Sequence, residues 1–293
     1  MVEFFAVFFV SYLIHGLGVT IGYHRLLSHR SFNCSKAVEY FFVIAGYLSH
    51  QGSPIWWATI HRAHHRHVDT PLDPHSPKFG MYEAYAGWYL HKTYAAHIDP
   101  AVQSKDLIKD PLYKFLEQGG NWRRAHVLAF AISICFRLTL LALFGWQIML
   151  ANILGGFLVL HIPQMLNVIC HIPKLGYKNY DDGSDSVNVW WVGLLALGEG
   201  WHNNHHTDPG SARSGVHFWE FDISWHVLCL LRSMGLVTRV NEKSHLQLLE
   251  RSKVRIARSL ELQNTGFLPT SLPGALTPPA ALVPVYATVS KNK

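Results

Sequence analysis

Residues 4–29, FFAVFFVSYLIHGLGVTIGYHRLLSH, run for twenty positions without a formal charge and then straight into His24 and His29. At 1.5 Å per residue such a run measures about 30 Å as a helix, the thickness of a bilayer's hydrocarbon core. A secretory signal would open on basic residues and close on a small-residue cleavage site, and neither is present. The stretch therefore reads as a membrane-spanning helix that delivers two histidines to one face.

Two further apolar runs, 127–144 and 146–166, are separated only at Gly145–Trp146. They predict a hairpin of spanning helices with its turn on the far side. Arg137 interrupts the first of them; it must snorkel toward the turn or sit inside the bundle. Residues 37–49 (AVEYFFVIAGYLS) are apolar but short and contain Glu39, which predicts an interfacial, re-entrant or protein-buried segment rather than a span.

Composition agrees with a membrane protein. Only 15% of the 293 residues are charged and 49% are hydrophobic, against about 25% charged in soluble domains. Ten Trp suit interfacial anchoring. The net charge of +6 comes from scattered bases, which fits a membrane surface and anionic head groups better than nucleic acid. Four Cys in no paired spacing suggest neither a disulfide framework nor a cysteine zinc site. Residues 61–125 and 171–250 are largely polar, the first with nine Lys and Arg, and the positive-inside rule places both in the cytosol. The expectation is an all-α integral membrane protein, residues 1–250 forming one unit with a cytosolic helical cap. Residues 251–293 form a tail, disordered from about 266, where Pro, Ala and Ser dominate.

Histidine is the outlier, with 20 residues. HRLLSH supplies His24 and His29, HRAHH supplies His61, His64 and His65, and HNNHH supplies His202, His205 and His206. On a helix, positions i, i+3 and i+4 share a face, so each HxxHH is expected to present three imidazoles to one point. The i, i+5 pair diverges on an ideal helix and fits better where a helix ends. The first span ends at His24 and the hairpin returns the chain to its starting side. All three clusters then lie on one membrane face. A lone histidine at a helix end is usually an ordinary polar residue; eight in three spaced clusters point to metal. Neutral imidazole suits iron, copper, zinc and nickel, and so many nitrogens suit two ions better than one. Asp69, Asp73, Glu199 and Asp208 are the carboxylates nearest the clusters and candidates to orient the rings.

The segments GYHRLLSHRSF, HRAHHRHVDTPLDPHSP and GEGWHNNHHTDPGSARSG resemble the three histidine boxes of membrane fatty acyl desaturases, most of all the delta-9 acyl-CoA and acyl-lipid type and its bacterial branch. The likeness runs from about residue 5 to residue 240. It implies a diiron centre (Fe2+/Fe3+) with O2 as co-substrate that places a cis double bond, at delta-9, in a saturated acyl chain. Carried over residue by residue, the ligands would be His24, His29, His61, His64, His65, His202, His205 and His206. The family's N-x-x-x-H motif matches NVICH at 167–171, which would make His171 a ninth ligand and bring Asn167 to a metal through water. Gln51 and Trp57 stand where the family lines the bend of its acyl channel, and Phe8 or Tyr12 could cap it. His67 and His75 match positions that the family does not use as ligands. The family's Trp three residues before that Asn is replaced by Gln164, after Pro163.

Arg62, Lys78, Lys92, Arg123 and Arg124 are candidates to hold an acyl carrier, whether coenzyme A, a carrier protein or a phospholipid. No haem, dinucleotide or iron–sulfur motif is present, so electrons are expected from a separate protein: a ferredoxin, or a cytochrome-b-type carrier with its reductase. The family usually has another membrane helix ahead of the first box. Here Met1 lies 23 residues before His24, so about three spans are expected where the family has four. The boxes would face the cytosol from a bacterial inner membrane or a eukaryotic endoplasmic reticulum. Two rival readings remain at this point. One is a related histidine-box hydroxylase, ketolase or sphingolipid-type desaturase; the other is a membrane protein that only holds or transports metal, which should carry acidic residues inside its helices.

Overall fold

The computed structural model describes residues 1–91 and 94–264. Lys92 and the stretch 266–293 lie outside the described residues.

Among the described residues, three helices are long and apolar enough to cross a membrane. The first is α1, Val2–Leu17, continued without a break by a π-helix, Gly18–Ser28. The chain then forms α2 (Lys36–Tyr47) and α3 (Pro54–His67), followed by three short helices, α4 (Trp88–His91), α5 (Pro100–Gln103) and α6 (Pro111–Glu117). The other two long helices are α7, Trp122–Phe144, and α8, Trp146–Ile169. Asn121 caps α7 by accepting from the Arg124 amide at 3.1 Å. Gly145, at φ 85°, ends α7 and starts α8, a conformation that glycine adopts without cost. The predicted hairpin thus closes through a one-residue turn.

Beyond it come α9 (Trp190–Leu195), α10 (His202–Thr207), α11 (Ile223–Ser233) and α12 (His245–Asn264). The all-helical expectation needs one addition. Strands β1, Asn33–Cys34, and β2, Val237–Thr238, pair antiparallel, tying the chain after the first histidine cluster to the chain after α11.

The segment 37–49 does not cross. Helix α2 lies against α1 and the π-helix, and at their crossing a Cβ on Gly18 would come 2.2 Å from the Gly46 amide nitrogen. Only glycine permits so close an approach, the same reason that small residues mark helix contacts in membranes. Arg137 takes the interior option: it is buried in α7 and does not snorkel.

Gly18→Val should therefore fail where a roomier site tolerates change. Overpacking against backbone costs about 1–3 kcal/mol or more, whereas Gly210→Ala, facing only the ends of the Asn241 and Asp208 side chains, should stay within about 0.5 kcal/mol. Thermal unfolding in detergent compares the two, and equal Tm values would refute the crossing.

Candidate metal centre

The π-helix explains the awkward first cluster. Its hydrogen bonds run from residue i+5 to residue i, as the His29 amide donates to the His24 carbonyl at 3.2 Å, so two histidines five apart return to one side. Helix α3 carries His61, His64 and His65, the chain just past α8 carries His171, and α10 carries His202, His205 and His206.

These nine residues form two sets. His24, His29, His61, His65 and His205 converge on one point, and His64, His171, His202 and His206 on another, with the ligand atoms of each set within 4.8 Å of one another. In the first set Nε2 of His24 is 3.0 Å from that of His205, His29 is 2.9 Å from His61, and His65 is 3.1 Å from His61. In the second, His171 is 3.1 Å from His202, and His206 is 3.0 Å from His202 and 3.3 Å from His64. Nitrogens held about 2.1 Å from an ion, at right angles to each other, stand about 3.0 Å apart. The donor sets fit metal ions.

This geometry corrects the expectation that each HxxHH aims at one point. With 3.6 residues per turn, i+3 and i+4 fall on opposite sides of i, about 100° apart. Each cluster accordingly divides. His61 and His65 serve the first set while His64 crosses to the second; His202 and His206 serve the second while His205 crosses to the first. The two points are therefore built from shared helices.

Carboxylates fix the rings. Glu199 is in short contact with Nδ1 of His24, and the buried Arg25 guanidinium reaches Glu199 at 3.1 Å and Asp222 at 3.0 Å. Asp73 accepts from His64 Nδ1 at 2.9 and 3.1 Å, and Asp69 lies 3.4 Å from His171 Nδ1. An Nδ1–H so engaged leaves the Nε2 lone pair aimed at the centre. Burial opposes the Asp73 charge, but the adjoining His64 outweighs it and holds the carboxyl well below the usual carboxylate range. Burial, together with the neighbouring rings, lowers His61, His65, His202, His205 and His206 well below the ordinary imidazole range, so they are neutral donors. Asp208 is not part of this arrangement; it pairs with Arg251 at 3.0 Å and Lys243 at 3.6 Å. His75 stacks on His64 and lies 3.9 Å from Asp73, outside both sets of five and four, and His67 packs on His97.

A scaffold not singled out from sequence holds α10. Its N-terminal residue, Trp201, offers no side-chain cap; Asn188 substitutes, its Oδ1 accepting from the Asn203 and Asn204 amides at 3.0 and 3.3 Å. Asn204 donates to Glu220 at 2.8 Å and Asn203 to the Tyr180 carbonyl at 2.9 Å. The two asparagines inside HNNHH are thus the ones that fasten the box, and that interior position was the available signal.

A narrow cavity adjoins the histidines, lined by Val19, Ile60, Trp57, Trp88, Ile162 and Asn167 among others. Trp57 stacks on His61, with ring centroids 4.9 Å apart. Asn167 reaches this cavity with an Nδ2 that has no partner. Gln51 does not line it. Pro163 lacks the N–H that would bind the Val159 carbonyl four residues back, and Gln51 Nε2 donates to that carbonyl at 3.3 Å instead. Phe8 and Tyr12 lie further along α1, away from the cavity lining, with Tyr12 bonded to the Leu195 carbonyl. Among the candidate bases, Arg62 is engaged by the Ser28 and Gln103 carbonyls and Asp106, Lys78 pairs with Asp185, and Arg123 covers the Trp122 ring.

The family model described as fatty acid desaturase matches residues 3–228. The chain is 41% identical over 226 residues to the sn-1 stearoyl-lipid 9-desaturase of Anabaena variabilis, covering 77% of this chain and 79% of that one. It is 36% identical over 250 residues to the acyl-CoA C20 delta5-desaturase of Anemone leveillei (83% and 75% covered), and 36% over 249 residues to delta-9 acyl-lipid desaturase 1 of Arabidopsis thaliana (84% and 78%). With its histidine sets spread from His24 to His206 inside the matched span, the chain belongs to the fatty acid desaturase family.

Proposed function

We propose that this chain places a cis double bond, at the delta-9 position, in a saturated long-chain acyl group, consuming O2 and two electrons. One observation carries the reading: two closed sets of histidine nitrogens stand beside an apolar cavity, in a chain whose relatives include named 9-desaturases.

In this reading His24, His29, His61, His65 and His205 hold one iron, and His64, His171, His202 and His206 hold the other, with Asn167 bound through a water. Iron held there would activate O2, which would take two hydrogens from adjacent methylenes and, with two electrons and two protons, leave as water. The protein's own residues do the rest. Glu199, Asp73 and Asp69 keep Nδ1 of His24, His64 and His171 protonated and Nε2 free. Trp57, Ile60 and Ile162 exclude water, which protects the chemistry from side reactions. Electrons come from a separate ferredoxin or cytochrome-b-type carrier. The histidines face the cytosol, since the bases of 61–125 belong on that side. In this reading residues 1–250 form the membrane unit and 251–293 a C-terminal tail, whose start lies within α12. The acyl carrier, a CoA thioester or a membrane lipid, docks from that face. A transporter would set its ligands along a path through the helices, whereas these sit at helix ends.

Expression in a host that lacks the activity, followed by fatty-acid profiling by mass spectrometry, tests the reading. A new monounsaturated species with its double bond at carbon 9 is expected, and His64→Ala should abolish it. A hydroxylated product, or no lipid change with iron and an electron donor supplied, would refute desaturation.

A second measurement separates the carboxylates. Asp73→Asn should lower iron affinity by about 10–100-fold, the usual cost of losing a ligand's partner, and so lower the iron retained. Asp208→Asn, whose partners are Arg251 and Lys243, should retain iron like the parent. Equal iron content in both variants, measured by mass spectrometry of the metal, would contradict the assigned orientation of His64.

A further inference from the structure

The corner between α2 and α3, residues 48–53, follows the end of α2 that packs on Gly18 of the first span, and is buried except at the half-buried His50. Irregular backbone at that depth survives only if its polar groups find partners inside the protein. Here its carbonyls, and those of the last turn of α2, are met one after another by side chains. Those of Ala45, Gly46, Leu48, His50 and Gly52 face His15 Nδ1 at 2.7 Å, Ser49 Oγ at 2.7 Å, Arg137 at 3.0 Å, the Tyr89 hydroxyl and the Tyr23 hydroxyl at 2.8 Å.

Arg137 is the costly member of this group. It is the sixteenth of 23 residues in a candidate span, and among the described residues no carboxylate pairs with it. Its other contacts are the Ser133 carbonyl, at 3.2 Å, and the Ser133 hydroxyl, which itself meets His50 Nε2 at 3.2 Å. Gly156 of α8 leaves it room, since a Cβ there would come 3.2 Å from the guanidinium. An ionisable side chain kept at such depth marks function more often than stability.

We propose that Arg137 is a positioning residue for the acyl channel. Its guanidinium holds the corner, and the corner sets α3: Ser53 stands at the N-terminal boundary of that helix, its carbonyl accepts from the Trp57 amide at 3.0 Å, and Trp57 walls the cavity against His61. The register of the chain against the two histidine sets follows from that wall. A displacement of about 1 Å at a reacting centre is enough to cost about 100-fold in rate. The proposal rests on the desaturase reading for its product assay, but not for its structural one.

The test compares Arg137→Gln, Arg137→Lys and Ser133→Ala in membranes, reading iron per chain, hydrogen exchange of residues 48–57, and the position of the double bond in the product. Arg137→Gln should bind iron like the parent, exchange at 48–53 about 10-fold faster, and spread the double bond to a neighbouring position, with turnover per folded chain down about 10-fold. Arg137→Lys, still able to donate to the Leu48 carbonyl, should recover part of both effects, and Ser133→Ala should show a milder form. Unchanged exchange, or a single positional isomer at the parent rate, would overturn the proposal. Should Arg137→Gln not accumulate, the same two readouts on Arg137→Lys and Ser133→Ala decide it. A parent chain that makes no unsaturated product sinks the desaturase reading instead, while the exchange data still report on the corner.

Discussion

Nine imidazole nitrogens drawn into two small spaces repel one another if protonated and waste their lone pairs if nothing sits between them. Keeping them neutral, close and correctly turned is the demand that shapes the surrounding structure. Burial supplies neutrality, holding His61, His65, His202, His205 and His206 uncharged. Burial alone, however, leaves each Nδ1–H without water. For His24, His64 and His171, Glu199, Asp73 and Asp69 answer that need, and each must then be held as an anion in the same dry region. Arg25 performs this for Glu199, while Asp73 also accepts from the Asp69 and His75 amides at 3.0 and 3.1 Å. The polar content of this interior is therefore ordered in layers, from ring to carboxylate to guanidinium or backbone.

Backbone geometry is bent to the same end. An α-helix through residues 18–29 would turn His29 away from His24. The π-helix keeps them together, but its wider turns need close neighbours, and Gly18 against Gly46 provides one such approach. Division of each HxxHH between two sets has a related consequence: α3 and α10 cannot move independently without disturbing both. A rigid anchor for α10 is then needed, and the Asn188, Asn203, Asn204 and Glu220 network supplies it.

Much of this was legible from the residues alone, for reasons that differ by feature. Eight histidines announced themselves by spacing, and the three long helices by length and lack of charge, because both signals are local. His171 needed the family motif, since one histidine after an apolar run carries no pattern. The π-helix was foreshadowed only as a misfit, the i, i+5 spacing that an α-helix cannot use. Asp208 looked equivalent to Asp73 by proximity in sequence, yet it turns toward Lys243 and Arg251, whose positions depend on how α12 docks. Gln51 matched a channel position but faces the Val159 carbonyl that Pro163 leaves open, a contact 108 residues away in sequence. Pairings across such distances leave no trace in composition or period.

The membrane portion shows the same economy as the histidine sets. Ser11, His15 and Asn152 are buried between α1 and α8, with the Asn152 amide 3.2 Å from the Ser11 hydroxyl and 3.1 Å from His15. Through the other nitrogen of His15 this chain of contacts reaches the Ala45 carbonyl at the end of α2, one turn before the carbonyl that Arg137 holds. Polar groups placed in a lipid-bounded core cost most when unpaired, so each must be justified by a partner that cannot be met otherwise. Here the common partner is one stretch of backbone, residues 45–52, which has to leave helical geometry so that α3 can rise with its three histidines in place. The cost of the irregular corner and the cost of the buried polar side chains offset each other, which accounts for both being present at the same depth.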